Sequence, residues 1–304
     1  MNFVEIAKSG SLEDWNAHLA TGEDPNEWDT FGSNALAWIL KLDRFDLFEH
    51  VIKKGSDPFA PYRNGGAFIF DLFSSNKSKW IETVLDTKEV WEKPQNRFVR
   101  DKEGNGIFQR LIQLGDEVYW EKAALQLKPE DYGIVNEEGR NLYLVAAAEG
   151  RLDWIANIEL EALHDSKDSA GKNVLHLSAE GGYSEQIQKL LSLGFPLEDL
   201  DHEGFTALYL AVIADEIECI ELLLSNGANL LLRNHSGESI TRFMDRKKRM
   251  HALKVWKKEL FKRFASIMEE NETEARQNYI NFLRLEKPLS SDEIAKLKLV
   301  DELM

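Results

Sequence analysis

Glycines recur along this chain at an interval close to 33 residues. Gly171 and Gly204 are 33 apart, Gly237 follows at 33 more, and Gly139 precedes at 32. Further upstream lie Gly104, Gly65 and Gly32, at intervals of 35, 39 and 33. A second series, Gly22 to Gly55 and Gly194 to Gly227, repeats the 33-residue step. A fixed period of this length marks a supersecondary unit copied along the chain. Glycine suits such a unit because it enters tight turns with positive φ at no steric cost. The 304 residues alone suggest about two ordinary domains. The period instead predicts one repeat array over residues 1–240, about seven units with an N-terminal cap, followed by a helical extension over 241–304.

Two stretches carry the repeat most clearly. DSAGKNVLHLSAEGGYSEQIQKLLSLGFPLED starts at Asp168, and DHEGFTALYLAVIADEIECIELLLSNGANLLL starts at Asp201. Both run turn, short helix, turn, longer helix, then Leu-x-x-Gly. Small residues (Ala146, Ala147, Ala179, Ala211) let paired helices approach closely. Ile217, Ile220, Leu223 and Leu224 stand at helical spacing and bury the second helix of the last clear unit. One unit cannot bury its apolar face alone, so stability sums over neighbouring interfaces and both ends need caps. Residues 2–19 form the expected N-terminal cap, with Phe3, Ile6, Leu12 and Trp15 facing inward.

The pattern resembles the ankyrin repeat. Asp168, Gly171, Leu175, His176 and Ala179 carry the motif in one unit; Asp201, Gly204, Thr206, Leu208 and Ala211 carry it in the next, closed by Leu222, Leu223, Gly227 and Ala228. The resemblance covers roughly residues 3–240. It implies an all-α solenoid of stacked helix-turn-helix units with short β-turn fingers, plus C-terminal helices. No unit has the complete Thr-Pro-Leu-His. The units around Gly65 (GGAFIFDLF) and Gly104 (GNGIFQRLI) are degenerate, a natural stability minimum in a chain held by nearest-neighbour contacts.

Charge is unevenly spread. The whole chain carries −16, but residues 1–241 hold 22 basic and 42 acidic side chains, a net of −20. Residues 242–263 hold ten basic and two acidic, a net of +8, and the last 41 residues a net of −4. The acidic body argues against nucleic acid as its partner, because phosphate would be repelled. Residues 249–268 place Leu253, Trp256, Leu260, Phe264 and Ile267 on one helical face. Such a basic amphipathic helix either covers the last repeat or binds an acidic or membrane surface. A helix at about 272–286 follows, and Ser290 with Glu293 reads as a capping box opening a last one.

Other chemistry is weakly represented. One cysteine excludes an intramolecular disulfide framework and zinc sites built on paired thiolates. Cys219 sits in ADEIECIELLL with no cation or histidine to activate it, so it reads as a core residue. Asp199, Asp201 and Gly204 resemble the start of a calcium loop, but the twelfth position is Leu210 where Glu is needed. His202 and His235 occupy equivalent turns in successive units. At the roughly 10 Å spacing of packed helices they cannot share a metal, so they read as exposed fingertip residues. His176 takes the family's structural histidine position. No dinucleotide, P-loop, zinc-protease or nucleophile-elbow motif occurs. No cofactor and no catalytic residue is expected. No stretch is long and apolar enough to span a bilayer, the first residues lack a basic segment before an apolar run, and the expected location is cytoplasmic.

The resemblance implies partner binding across a concave face of finger turns and first helices. By position this gives Phe31, then Lys102 and Glu103, then Glu137, Glu138 and Arg140, then Lys172, then His202, Glu203 and Phe205, then His235. Phe31 and Phe205 carry most information, because aromatics are enriched at binding hot spots; the alternative is that they fold back onto adjacent turns. Residues 88–97, KEVWEKPQNR, read as an inserted loop whose Trp91 is either a partner anchor or a plug over a weak repeat. The expected function is non-catalytic, monomeric binding of a protein, with the acidic fingertips favouring a basic partner. Degenerate ankyrin repeats with a tail also resemble bacterial or viral effectors acting on host proteins. Less favoured is an enzyme with chemistry in residues 240–304, and residues 242–263 leave open contact with anionic lipid or nucleic acid.

Overall fold

The computed structural model of the chain describes residues 2–63, 66–155, 160–229, 233–256 and 258–259. The described chain divides into two compact units, residues 1–159 with 166–169, and residues 160–165 with 170–304. Regular structure among the described residues is helical; the extended pairing comprises the isolated bridges Pro61–Ala67 and Arg233–Ser239. The tail helices expected beyond residue 259, the glycine at 65, and Leu260, Phe264 and Ile267 lie outside the described residues.

In the first unit, helices come mostly in packed pairs. Phe3–Ser9 pairs with Leu12–Leu19, Ala35–Lys41 with Phe45–Lys53, Phe68–Phe73 with Ser78–Asp86, and Ile107–Leu114 with Glu117–Ala124. Phe3, Ile6 and Trp15 of the first pair are buried as expected, while Leu12 is half-buried. Asn2 with Glu5, and Ser11 with Asp14, form capping boxes that satisfy orphan amides at each start. The unit begun by Gly139 departs from the pattern. Its inner helix Leu142–Ala148 is followed by a single 3-10 turn, Leu152–Trp154.

The segment read as an inserted loop is ordered and packed. It forms the helix Lys88–Glu92 and a 3-10 turn, Pro94–Phe98. Trp91 is only 6% exposed, its indole ring stacking on Phe108 at 5.9 Å and meeting Phe59 edge-on at 6.0 Å. Its Nε1 donates to the Leu85 carbonyl at 3.2 Å. Trp91 is therefore the plug and not an exposed anchor: burying a large ring with its polar end satisfied outweighs presenting it to water.

In the second unit, Val174–Glu180 pairs with Ser184–Ser192 and Ala207–Ala214 with Ile217–Ser225. Ile220, Leu223 and Leu224 are buried and Ile217 half-buried. The helix Ile240–Lys247 spans the expected boundary at residue 240 and packs on Ala207–Ala214, with the Tyr209 and Phe243 rings 5.6 Å apart. Lys248 then takes a left-handed conformation (φ +57°) and helix resumes over 250–256, burying Ala252 and Trp256.

A cap stands two residues after most turn glycines. Asn34, Asn141, Asn173, Thr206 and Ser239 each accept an amide of the helix they precede. Each such bond stabilises its helix by about 1 kcal/mol. The degenerate units lack it: Ala67 and Gly106 stand there instead, and only Gly106 is compensated, its amide donating to Gln109 Oε1 at 2.7 Å.

Candidate functional site

Five of the finger turns are each built around one side chain. Three residues before the turn glycine, an Asp or Asn oxygen accepts amides from within its own turn. Asp29 Oδ1 holds Phe31 and Ser33, Asp101 Oδ1 holds Glu103 and Asn105, and Asn136 Oδ1 holds Glu138 and Arg140. Asp201 does the same for Glu203 and Phe205, and Asn234 for Glu238. This side-chain mimicry of a backbone turn is a known habit of Asp and Asn. Against the cost of burial, bonds from Trp38 and the Ser33 and Phe31 amides hold the Asp29 carboxyl below its usual range.

Within each unit, successive turns are tied by single backbone bonds. In the first, Arg63 donates to Gly32 O (3.3 Å), Glu137 to Glu103 O (3.1 Å) and Ser169 to Glu138 O (2.8 Å). In the second, His202 donates to Ala170 O and His235 to Glu203 O, both at 2.9 Å. The fingertips are thus fixed in backbone, which is what a preorganised recognition surface requires.

In the first unit, Phe31 is 81% exposed at the tip of its turn, and Trp28 beside it is 49% exposed with Nε1 donating to Pro61 O at 2.7 Å. Lys102, Glu103, Glu137 and Glu138 are exposed, and Arg140 is held between Glu138 (2.9 Å) and Asp168 (3.4 Å). In the second, His202, Glu203 and His235 are exposed. Lys172 is half-buried and paired with Glu180 at 2.7 Å, so its charge is largely spent within the repeat. Phe205 is half-buried with its ring 4.6 Å from Tyr209, which favours folding back over projection.

The two fingertip histidines each lie over the preceding turn. A Cβ on Gly171 would come within 2.5 Å of the His202 ring, and one on Gly204 within 2.6 Å of the His235 ring. His235 Nδ1 donates to His202 O at 3.1 Å. His176, by contrast, is buried, and burial lowers its pKa. Its Nε2 donates to Phe205 O at 3.0 Å, leaving Nδ1 to accept the Asn173 amide at 3.3 Å. Cys219 is fully buried; desolvation, then Glu216 and Glu218, push its thiol up to about 12, so it is not a thiolate at neutral pH.

One feature of the first unit was not anticipated. A cavity of about 360 Å³ opens beside the helix Phe68–Phe73, lined among others by Ser33, Tyr62, Phe70, Asp71, Lys102 and Arg110. Among the described residues no cluster of His, Cys, Asp and Glu is arranged to hold a metal, and no helix is long and apolar enough to cross a membrane.

Comparison with known proteins agrees with this geometry. Residues 142–234 match the family model for ankyrin repeats, in three copies. The turn and cap pattern described above continues on both sides of that stretch, with Asn34 before it and Ser239 after it. Over 122 residues it is 27% identical to the E3 ubiquitin-protein ligase KEG of Arabidopsis thaliana, covering 36% of this chain and 7% of that protein. A crystal structure of EF0377, an ankyrin repeat protein, aligns with a TM-score of 0.48 and 21% identity, over 62% of this chain and 94% of that one. Ankyrin repeats indicate a protein–protein interaction module.

Proposed function

We propose that the chain is a non-catalytic adaptor that binds another protein through its finger turns, acting as a monomer. The observation that carries this is Phe31. An aromatic ring 81% exposed on a turn whose backbone is fixed by Asp29 is costly to leave in water and well placed to be covered. The exposed carboxylates of Glu103, Glu137 and Glu138 lie on fingertips of the same unit and favour a partner with a basic surface. In this proposal the region 241–304 begins as a cover for the last repeat, with Ile240, Phe243 and Met244 buried.

The test starts from partners recovered with the full chain and identified by mass spectrometry. Affinity for such a partner is then measured by titration. Phe31→Ala is expected to weaken it at least tenfold, and Glu137→Ala with Glu138→Ala to slow association and flatten its dependence on salt. Unchanged affinity and unchanged salt dependence in both variants would overturn the proposal.

A further inference from the structure

We propose that the cavity beside helix Phe68–Phe73 receives one cationic side chain of the protein partner, a guanidinium or primary ammonium, which pairs with Asp71. This rests on the protein-binding function above and gives it a specific subsite. The cavity's volume of about 360 Å³ lies at the lower end of the roughly 300–1,000 Å³ typical of ligand pockets.

The charges around it decide its chemistry. Asp101 is spent on its own turn, accepting the amides of Glu103 and Asn105 at 2.9 and 2.8 Å and Asn105 Nδ2 at 3.2 Å. Glu103 and Arg110 lie 3.8 Å apart and offset one another. Asp71 is exposed and has no ion-pair partner among the described residues. The Tyr62 hydroxyl is buried and lies against the Asp71 carboxylate, toward which it donates. Burial, then the nearby Asp71 charge and the hydrogen bond to that carboxylate, raises its pKa, so it stays a neutral O–H.

The Tyr62 O–H donates toward the Asp71 carboxylate and steadies it, while that exposed carboxylate has no cation paired with it among the described residues. A cation can pair with that carboxylate, whereas an anion would face the Asp71 charge directly. Ala67 and Phe70, buried in the same wall, suit the aliphatic stem of lysine or arginine. Lys102 is the one opposing charge left. It is exposed on a flexible stem at a fingertip, free to turn toward solvent, while Asp71 is fixed on a helix.

The probe is Nα-acetyl-arginine amide, titrated into the isotope-labelled full chain and followed by amide chemical shifts, with Nα-acetyl-glutamate amide as control. The expected result is saturable shifts at Ala67, Asp71 and Ser74. Affinity should fall at least tenfold in Asp71→Asn and several-fold in Tyr62→Phe, with the spectrum elsewhere unchanged. Absence of saturation at these residues, equal affinity in Asp71→Asn, or tighter binding of the glutamate probe would overturn the subsite. Failure here with Phe31→Ala still weakening a partner removes the subsite and leaves the adaptor function standing. The reverse pattern, probe binding intact but no effect of Phe31→Ala, removes the fingertip model alone.

Discussion

Arg44 donates from Nη2 to the carbonyl oxygen of Gly10 at 2.7 Å. Its Nη1 reaches the carbonyls of Ile6 and Ala7 at 3.2 and 3.1 Å, so one guanidinium closes the C-terminal end of helix Phe3–Ser9, where the helix dipole is negative. Arg151 does the same to Ile112 at 2.9 Å, and Arg249 to Ile213 at 2.8 Å. All three stand twelve residues after a turn glycine, Gly32, Gly139 and Gly237. Bonds from a charged donor contribute about 1.5–3 kcal/mol. Arg44→Ala is therefore expected to lower unfolding free energy by about that amount in a urea titration. Arg44→Lys should restore only part, because an ammonium lacks the planar fork that spans several carbonyls. An unshifted midpoint for Arg44→Ala would show the cap to be dispensable.

Removing Trp91 should be felt as a core loss. Trp91→Ala is expected to cost about 3–5 kcal/mol, the range for emptying a large aromatic site, because Phe59 and Phe108 lose their ring contacts. Phe31→Ala should change stability by no more than about 0.5 kcal/mol, as surface substitutions do. Equal costs at the two positions would contradict their opposite burial.

The turn glycines should differ in a predictable order. Gly204→Ala would place a methyl 2.8 Å from the His235 amide that forms the rung to Glu203, at φ +81°. Gly227→Ala carries the backbone strain at φ +96° but meets nothing within 4 Å. The second should cost about 1–2 kcal/mol and the first more, read from thermal or urea midpoints followed by circular dichroism. A reversed order would mean that the rung is not held as described.

Acidification should weaken the second unit through His176. Its folded pKa lies below its unfolded one because burial disfavours the charged ring. The unfolded state therefore binds the proton first as pH falls through about 6.5, and stability drops below that point until the folded pKa is reached. Comparing midpoints at pH 7.5 and 5.5, His176→Gln should show a shallower loss than the parent. An identical slope would remove His176 as the source.

The architecture was legible where local chemistry repeats. In Asp168–Asp201 and its successor, the turn acid, the glycine and the capped apolar helix all recur in phase, and the helices follow. The first unit hid more. Phe68, Ile69, Phe70, Leu72 and Phe73 are all buried, so that helix shows no amphipathic period to read. Around Trp91 the flanking Lys88, Glu89, Glu92 and Lys93 mimic a solvated loop, although Val90 and Trp91 turn inward. The spacing of Arg44, Arg151 and Arg249 behind their glycines is itself present in the sequence as a signal. The cavity could not have been found that way. Ser33, Tyr62 and Lys102 come from three different turns and meet only once those turns are laid side by side.

The burial of Trp91 against Phe108 has an optical consequence. Seven of the eight tryptophans, Trp15, Trp28, Trp38, Trp80, Trp91, Trp120 and Trp154, fall in the first unit, and only Trp256 in the second. Intrinsic fluorescence is thus a nearly selective reporter of the first unit, while circular dichroism samples the helices of both. Any difference between the two unfolding curves would reveal whether the repeats melt together or in turn.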